Sequence, residues 1–135
     1  MTFVTTSRKA APEVRALAKD LAFALDCPFR SRGKMGLLEL LAIDTSFLIV
    51  STDYSGMRIQ VFSSGNAVAE LVVRSVTCEE RDGIMDKTVS VSDQSVYDML
   101  EPYVRVALGR ETGSTIRFDG TRRRRYLLGL APVSR

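Results

Sequence analysis

Three strand-like runs follow one another between residues 46 and 77 with almost nothing between them. "SFLIVSTD" is strongly apolar, "MRIQVFSS" alternates Met57, Ile59, Val61 and Phe62 unevenly, and "AVAELVVRSVT" is rich in β-branched residues. Turn signals separate them, "YSG" at 54–56 and "GN" at 65–66. Connections this short join antiparallel neighbours, because a parallel pair needs a crossover of a dozen or more residues. An antiparallel meander is therefore the expected centre of the fold.

The flanking segments add helices. "TFVTT" reads as a strand over Phe3 to Thr5, and Pro12 suits the first turn of a helix, where its missing N–H is not needed. Val14, Leu17, Ala18, Leu21, Ala22 and Leu25 then recur at three- and four-residue steps, which predicts an amphipathic helix to about Asp26. Its polar side carries Arg15 and Lys19, one turn apart. Pro28 ends it, "FRSR" reads as extended, and "MGLLELLAI" as a short helix turning Leu37, Leu38 and Leu41 inward.

After the meander, "CEERDGIMDKT" is the natural loop between two halves, about 1–80 and 81–135, of a single domain spanning 1–135. "TVSVS" reads as a short strand. Ser92 is placed to cap a helix with Val96, Met99, Leu100, Tyr103, Val104 and Leu108 inward, which Pro102 must kink or restart. "STIRF" and "RYLLGL" form an expected terminal hairpin around "DGTRRR". The fold class implied is mixed α/β (α+β) layers.

Composition narrows the chemistry. The chain has 135 residues and no run of about 18 apolar residues, so no membrane span is expected, and the N-terminus shows no signal-peptide pattern. A cytoplasmic location follows as an expectation. Cys27 and Cys78 read as half-buried free thiols. Histidine is absent, which removes Ser-His and Cys-His catalysis and most zinc sites. The net charge of +3 is segregated: residues 1–34 carry seven basic and three acidic groups, 35–115 six and twelve, and 116–135 six and one. If the two ends meet in the fold, one face is strongly positive and suits a polyanion.

Four stretches carry candidate chemistry. Gly33-Lys34 ahead of a helix suggests phosphate, but a P-loop needs a glycine where Pro28 stands and a hydroxyl where Met35 stands. What survives is an anion site: Gly33 and Gly36 let backbone approach a ligand, and Arg30, Arg32 and Lys34 share one side if the segment is extended. Thr5, Thr6, Ser7, Arg8 and Lys9 lie between a strand and a helix start, where the helix dipole also favours anions. Arg122, Arg123, Arg124 and Arg125 sit at the hairpin tip, and arginine forks match phosphate oxygens. Glu79, Glu80, Asp82 and Asp86 read as a solvated acidic loop, without the oxygen-ligand spacing of a calcium site. Phe3, Phe47, Phe62, Tyr97 and Tyr103 read as core, Tyr54 and Tyr126 as exposed. No metal or cofactor is expected.

The combination "TTSRKAAPEVRALAKDLAFAL…RSRGKMGLLELL" resembles the Brix domain family of ribosome-biogenesis proteins, in particular its short archaeal members. The specific part covers residues 3–41. The resemblance implies two similar α/β halves, each like the anticodon-binding domain of class II aminoacyl-tRNA synthetases. It also implies a non-catalytic role in binding ribosomal RNA precursor, with "TTSR" (Thr5 to Arg8) and "RGK" (Arg32 to Lys34) as motif positions. The four arginines at 122–125 enter on charge alone, as do Lys9, Arg15, Lys19 and Arg30. The alternative is an adaptor that recruits ribosomal or assembly proteins through its apolar or acidic middle; an enzyme is the weakest reading.

Overall fold

The computed structural model describes residues 2–53 and 56–131; the expected turn at Tyr54 and Ser55 lies outside them. In chain order the elements are β1 (Thr2–Thr6), α1 (Pro12–Leu25), α2 (Leu37–Ile43), β2 (Ser46–Asp53), β3 (Gly56–Ser63), β4 (Asn66–Glu80), β5 (Ser90–Val91), α3 (Gln94–Leu100), β6 (Ala107–Leu108), β7 (Thr115–Asp119) and β8 (Arg124–Leu130). The described strands form one mixed sheet in the order β1-β2-β3-β4-β8-β7-β5-β6.

The meander is present: β2 pairs antiparallel with β3 from Ser46↔Ser63 to Asp53↔Gly56, and β3 with β4 from Met57↔Val73 to Ser63↔Asn66. β1 lies parallel to β2, Thr2↔Ser46 through Thr6↔Val50, which the intervening helices make possible. The hairpin β7–β8 pairs from Thr115↔Gly129 to Asp119↔Arg125 and joins the meander along β4.

Helix α1 explains the shape of the sheet. Its expected inner face, Val14, Leu17, Ala18, Leu21, Ala22 and Leu25, is buried. It packs on β1 and β2 and also on β7. In the sheet order β7 lies five strands away from β1, so one helix touches both only if the sheet curls around it. Ala18 and Ala22, with no bulk beyond Cβ, sit at 0% and 1% exposure and let that wall come close.

Several expectations give way to tertiary contacts. Leu37 and Leu38 of α2 are 47% and 83% exposed, Leu41 is half-buried, and Leu40 is the residue at 0%. A seven-residue helix is aimed by its tethers, and these turn Leu40 onto Phe3, Phe47 and Ile49 on the sheet face opposite α1. There Phe3, Phe47 and Phe62 stack at centroid separations of 5.1 and 5.2 Å. Asp93, not Ser92, caps α3 by accepting the Ser95 N–H at 2.9 Å; the Ser92 hydroxyl bonds Gly113 O instead. α3 stops at Leu100, and Leu108 lies in β6, half exposed.

Glu79 and Glu80 belong to β4 rather than to a loop, directly opposite Arg125 and Arg124. Cys78 is exposed, not half-buried. Tyr126 is 4% exposed and part of the core, because its place on β8 alternates with Leu127 and turns it toward α1.

Candidate nucleic-acid interface

The inward pattern of α1 leaves Pro12, Arg15 and Lys19 exposed and Ala16 half-buried along its outer side. Two grooves run beside this stripe. One, of about 340 Å³, lies between α1 and the β7–β8 turn and is lined by Pro12, Arg15, Ala16, Lys19, Asp20, Thr121, Arg122 and Arg124. The other, of about 250 Å³, is lined by Thr6, Ser7, Lys9, Ala10, Arg15, Phe29, Ser31, Arg32 and Gly33. Arg15 lines both, while its Nη1 donates to Ala10 O at 2.9 Å.

A single buried carboxylate lines the first groove and ties its two walls together. Asp20 is 1% exposed, an unusual position for a charge unless it is fully partnered. Its Oδ2 accepts the Tyr126 hydroxyl at 2.6 Å and faces Arg124 Nη2 at 3.2 Å. Its Oδ1 accepts the Thr121 N–H at 3.1 Å and the Thr121 hydroxyl at 2.7 Å. Four donors from the hairpin therefore converge on one helix side chain. Gly120 makes the approach possible, since a Cβ there would stand 2.5 Å from Asp20 Cγ. Burial, and then the Asp20 carboxylate, push the Tyr126 hydroxyl pKa well above its ordinary value. Asp20 was not singled out from the sequence. The available signal was its place one step from Leu21, at the margin of the buried face.

The four arginines separate. Arg122 and Arg123 occupy the turn with φ of 58° and 61°, exposed to solvent. Two successive positive φ values are the geometry for which hairpins select Asn-Gly, so each arginine costs about 1–2 kcal/mol there. Arg124 points to the α1 side. Arg125 points to the opposite face, where its Nε donates to Asp119 Oδ1 at 2.7 Å, and so it lies away from both grooves. Burial alone would push the Asp119 carboxyl up, but Arg125 and the Asp86 N–H at 2.8 Å hold it below the usual carboxylate range.

The second groove joins the two sequence motifs. Val4 N–H donates to Pro28 O, Arg30 N–H to Val4 O, and the Thr5 hydroxyl to Arg30 O at 2.6 Å, so the segment after α1 lies along β1. Arg32 is 9% exposed; its Nε donates to Met35 O at 2.8 Å and its Nη1 to Thr6 O at 3.2 Å. The expected ladder of Arg30, Arg32 and Lys34 is therefore broken: the chain turns at Gly33, φ 55°, and Arg32 points inward while Arg30 and Lys34 remain exposed. Thr5 and Thr6 are buried, and the Thr6 hydroxyl donates to Ser7 O. Arg8 is exposed and close enough to Arg32 that its charge, after burial, helps to lower the Arg32 pKa. Two guanidiniums held together favour an anion between or beside them.

The candidate surface thus gathers Ser7, Arg8, Lys9, Arg15, Lys19, Gly33, Arg122, Arg123 and Arg124 around α1, with Arg30 and Lys34 on the adjoining loop. The basic segments of α1 and of the β7–β8 turn do meet. Among the described residues no group of three or more Cys, Asp or Glu is placed to hold a metal ion, and no helix is long and apolar enough to cross a membrane.

No family model matches the chain. Over 54 residues, 39% of its length, it is 37% identical to a probable Brix domain-containing ribosomal biogenesis protein of Methanococcoides burtonii, and the chain spans about a third (35%) of that relative. Its fold is similar to that of Mil, an archaeal Imp4-like protein, with a TM-score of 0.74 at 17% identity over 98% of this chain and 97% of that one. It is also similar to a probable ribosomal biogenesis protein from Aeropyrum pernix K1, with a TM-score of 0.67 at 16% identity over 99% and 97%. The chain therefore shares the fold of these two proteins over nearly its whole length, and over 54 residues it is similar in sequence to a Brix domain-containing relative.

Proposed function

We propose that this protein is a non-catalytic RNA-binding factor of ribosome biogenesis, working in the cytoplasm on ribosomal RNA precursor. The observation that carries the reading is Arg15, which walls two grooves built from chain segments as distant as residues 6–9, 29–33 and 121–124. A phosphate backbone laid across α1 meets Lys9, Arg15, Lys19 and Arg122 in succession. Recognition then rests on charge and shape, with the hydroxyls of Ser7 and Ser31 available to sugar or phosphate oxygens. The absence of histidine and of a complete P-loop supports a role without catalysis.

We also read the fold as two related halves, about 1–80 and 81–135. Each carries a parallel strand pair with an intervening helical connection, α1 and α2 in the first and α3 in the second, then a hairpin: β1/β2 with β3–β4, and β5/β6 with β7–β8. The hairpin adds to the second strand of the first pair and to the first strand of the second.

The test is the salt dependence of binding to a structured ribosomal RNA fragment. Each neutralised phosphate adds about −0.9 on duplex and −0.7 on single strands to the slope of log affinity against log salt. Replacing Arg15, Lys19, Arg122 and Arg123 together by glutamine should flatten that slope by about 3. Arg74→Gln, exposed on β4, should leave it unchanged. A slope unaltered in the fourfold variant removes α1 and the hairpin tip as the contact surface.

A further inference from the structure

The second half of β4 is an open sheet edge. β3 pairs with β4 only over Asn66–Val73, while β8 pairs with it from Val73 to Glu80. The burial pattern of β4 records the change: exposed and buried residues alternate from Val68 to Val73, and every residue from Arg74 to Glu80 is exposed. Among the described residues no strand lies beyond Ser75–Glu80 on the side away from β8. An extended strand left this way presents a row of unpaired N–H and C=O groups.

The other margins of the sheet are treated differently. The outer side of β1 is covered by the segment at Phe29, through the Val4↔Phe29 bridge and the Val4 and Arg30 backbone bonds. β6, at the far end, is two residues long. Ser75–Glu80 is six residues long, contains no proline, and its bulge lies before it, between Val73 and Ser75. Among the described residues none of the usual devices that blunt an edge protects Ser75 to Cys78.

The side chains specify what fits. Ser75, Val76, Thr77 and Cys78 are uncharged, and Val76 is 43% exposed. Glu79 and Glu80 follow, with exposed Asp82 beyond. Their partners in register, Arg125 and Arg124, lie on the β8 side and face Asp119 and Asp20 as well. An acidic end repels nucleic acid. Antiparallel pairing with a second copy, in the fully paired register, would set Glu79 and Glu80 against Val76 and Ser75 and provide no cation. A strand with apolar or β-branched residues at its centre and a basic end satisfies both parts of the edge.

We propose that Ser75–Glu80 receives an extended segment of a partner protein by antiparallel strand addition, with β-branched residues beside Val76–Cys78 and lysine or arginine against Glu79–Glu80. This surface is separate from the α1 grooves, so the protein carries a polypeptide site and an RNA site on different parts of the molecule.

The experiment uses the full chain under reducing conditions. The probe is a synthetic peptide with two N-terminal lysines followed by alternating valine and threonine. Binding is read by fluorescence anisotropy and by amide hydrogen exchange. The expected result is saturable binding with slowed exchange at 75–80. A glutamate-led peptide should bind about tenfold more weakly, since two modest ion pairs become repulsions. Glu79→Gln with Glu80→Gln should close that gap, and backbone N-methylation of the peptide should abolish binding. The proposal is overturned if millimolar peptide leaves exchange at 75–80 unchanged or if the N-methylated peptide binds equally well. It is also overturned if the chain is dimeric with 75–80 already protected.

Discussion

Replacing Asp20 by asparagine removes a charge and almost no volume, which makes it a clean probe of how the β7–β8 turn is held on α1. Three groups lose a charged acceptor: the Tyr126 hydroxyl, Thr121 through its N–H and hydroxyl, and Arg124. They do not weigh equally. Thr121 is exposed and the Arg124 side chain is 33% exposed, so both turn to water at little cost. Tyr126, at 4% exposure, cannot. A hydrogen bond to a charged group contributes about 1.5–3 kcal/mol, and the weakened Thr121 and Arg124 contacts add about 1 kcal/mol more. Asp20→Asn should therefore cost about 3 kcal/mol in urea denaturation followed by circular dichroism. That leaves a folded protein, since a domain of this size is typically stable by about 5–15 kcal/mol. Tyr126→Phe should cost about 2 kcal/mol. In the double variant the two losses should fall short of additivity by at least about 1 kcal/mol, because both remove the same bond. RNA affinity should drop further than stability explains, because the turn no longer docks on α1. A loss below about 1 kcal/mol for Asp20→Asn, or strict additivity with Tyr126→Phe, would refute the role of Asp20 in holding the β7–β8 turn on α1.

Arg123→Gly should raise the unfolding free energy by roughly 0.5–1 kcal/mol, read from urea denaturation, the relieved left-handed strain exceeding glycine's chain entropy, while RNA binding weakens; lower stability counts against a strained turn. Arg32→Ala should cost about 2–3 kcal/mol because it strips donors from Thr6 O and Met35 O, whereas Lys34→Ala should stay within about 0.5 kcal/mol; equal effects would mean that Arg32 is not an internal anchor. Stability should fall at both extremes of pH. The depressed Asp119 pKa stabilises above the unfolded value of about 3.9 and is lost as pH drops through the folded value. The raised Tyr126 pKa stabilises fully below about 10 and is lost as pH rises through the folded value; in Tyr126→Phe the alkaline slope should shrink.

Local pattern carried much of the architecture. The spacing of Val14 to Leu25 specified α1 because every turn of a fourteen-residue helix repeats the same signal. The turn signals "YSG" at 54–56 and "GN" at 65–66 left β2, β3 and β4 no arrangement but antiparallel neighbours. Short elements were less legible. α2 and α3 hold seven residues each, too few for their own periodicity to aim them, so Leu40 rather than Leu37 or Leu38 reached the core.

The candidate site divides the same way. Sequence alone placed the basic residues at both ends of the chain and the motifs at 5–9 and 30–34, because charge and residue type are local properties. It could not say which of those charges face solvent. Arg32 turned inward to Thr6 O, 26 residues away, Thr5 bonded Arg30 O, 25 residues away, and Arg125, on the face opposite Arg124, went to Asp119, six residues away. Asp20 and Tyr126 meet across 106 positions, and no window of sequence contains both. The sequence determined that a long amphipathic helix, a meander and two basic termini would exist. Only the curl of the sheet around α1 decided that the basic segments of α1 and of the β7–β8 turn meet, because that contact is made by burying one carboxylate under four donors.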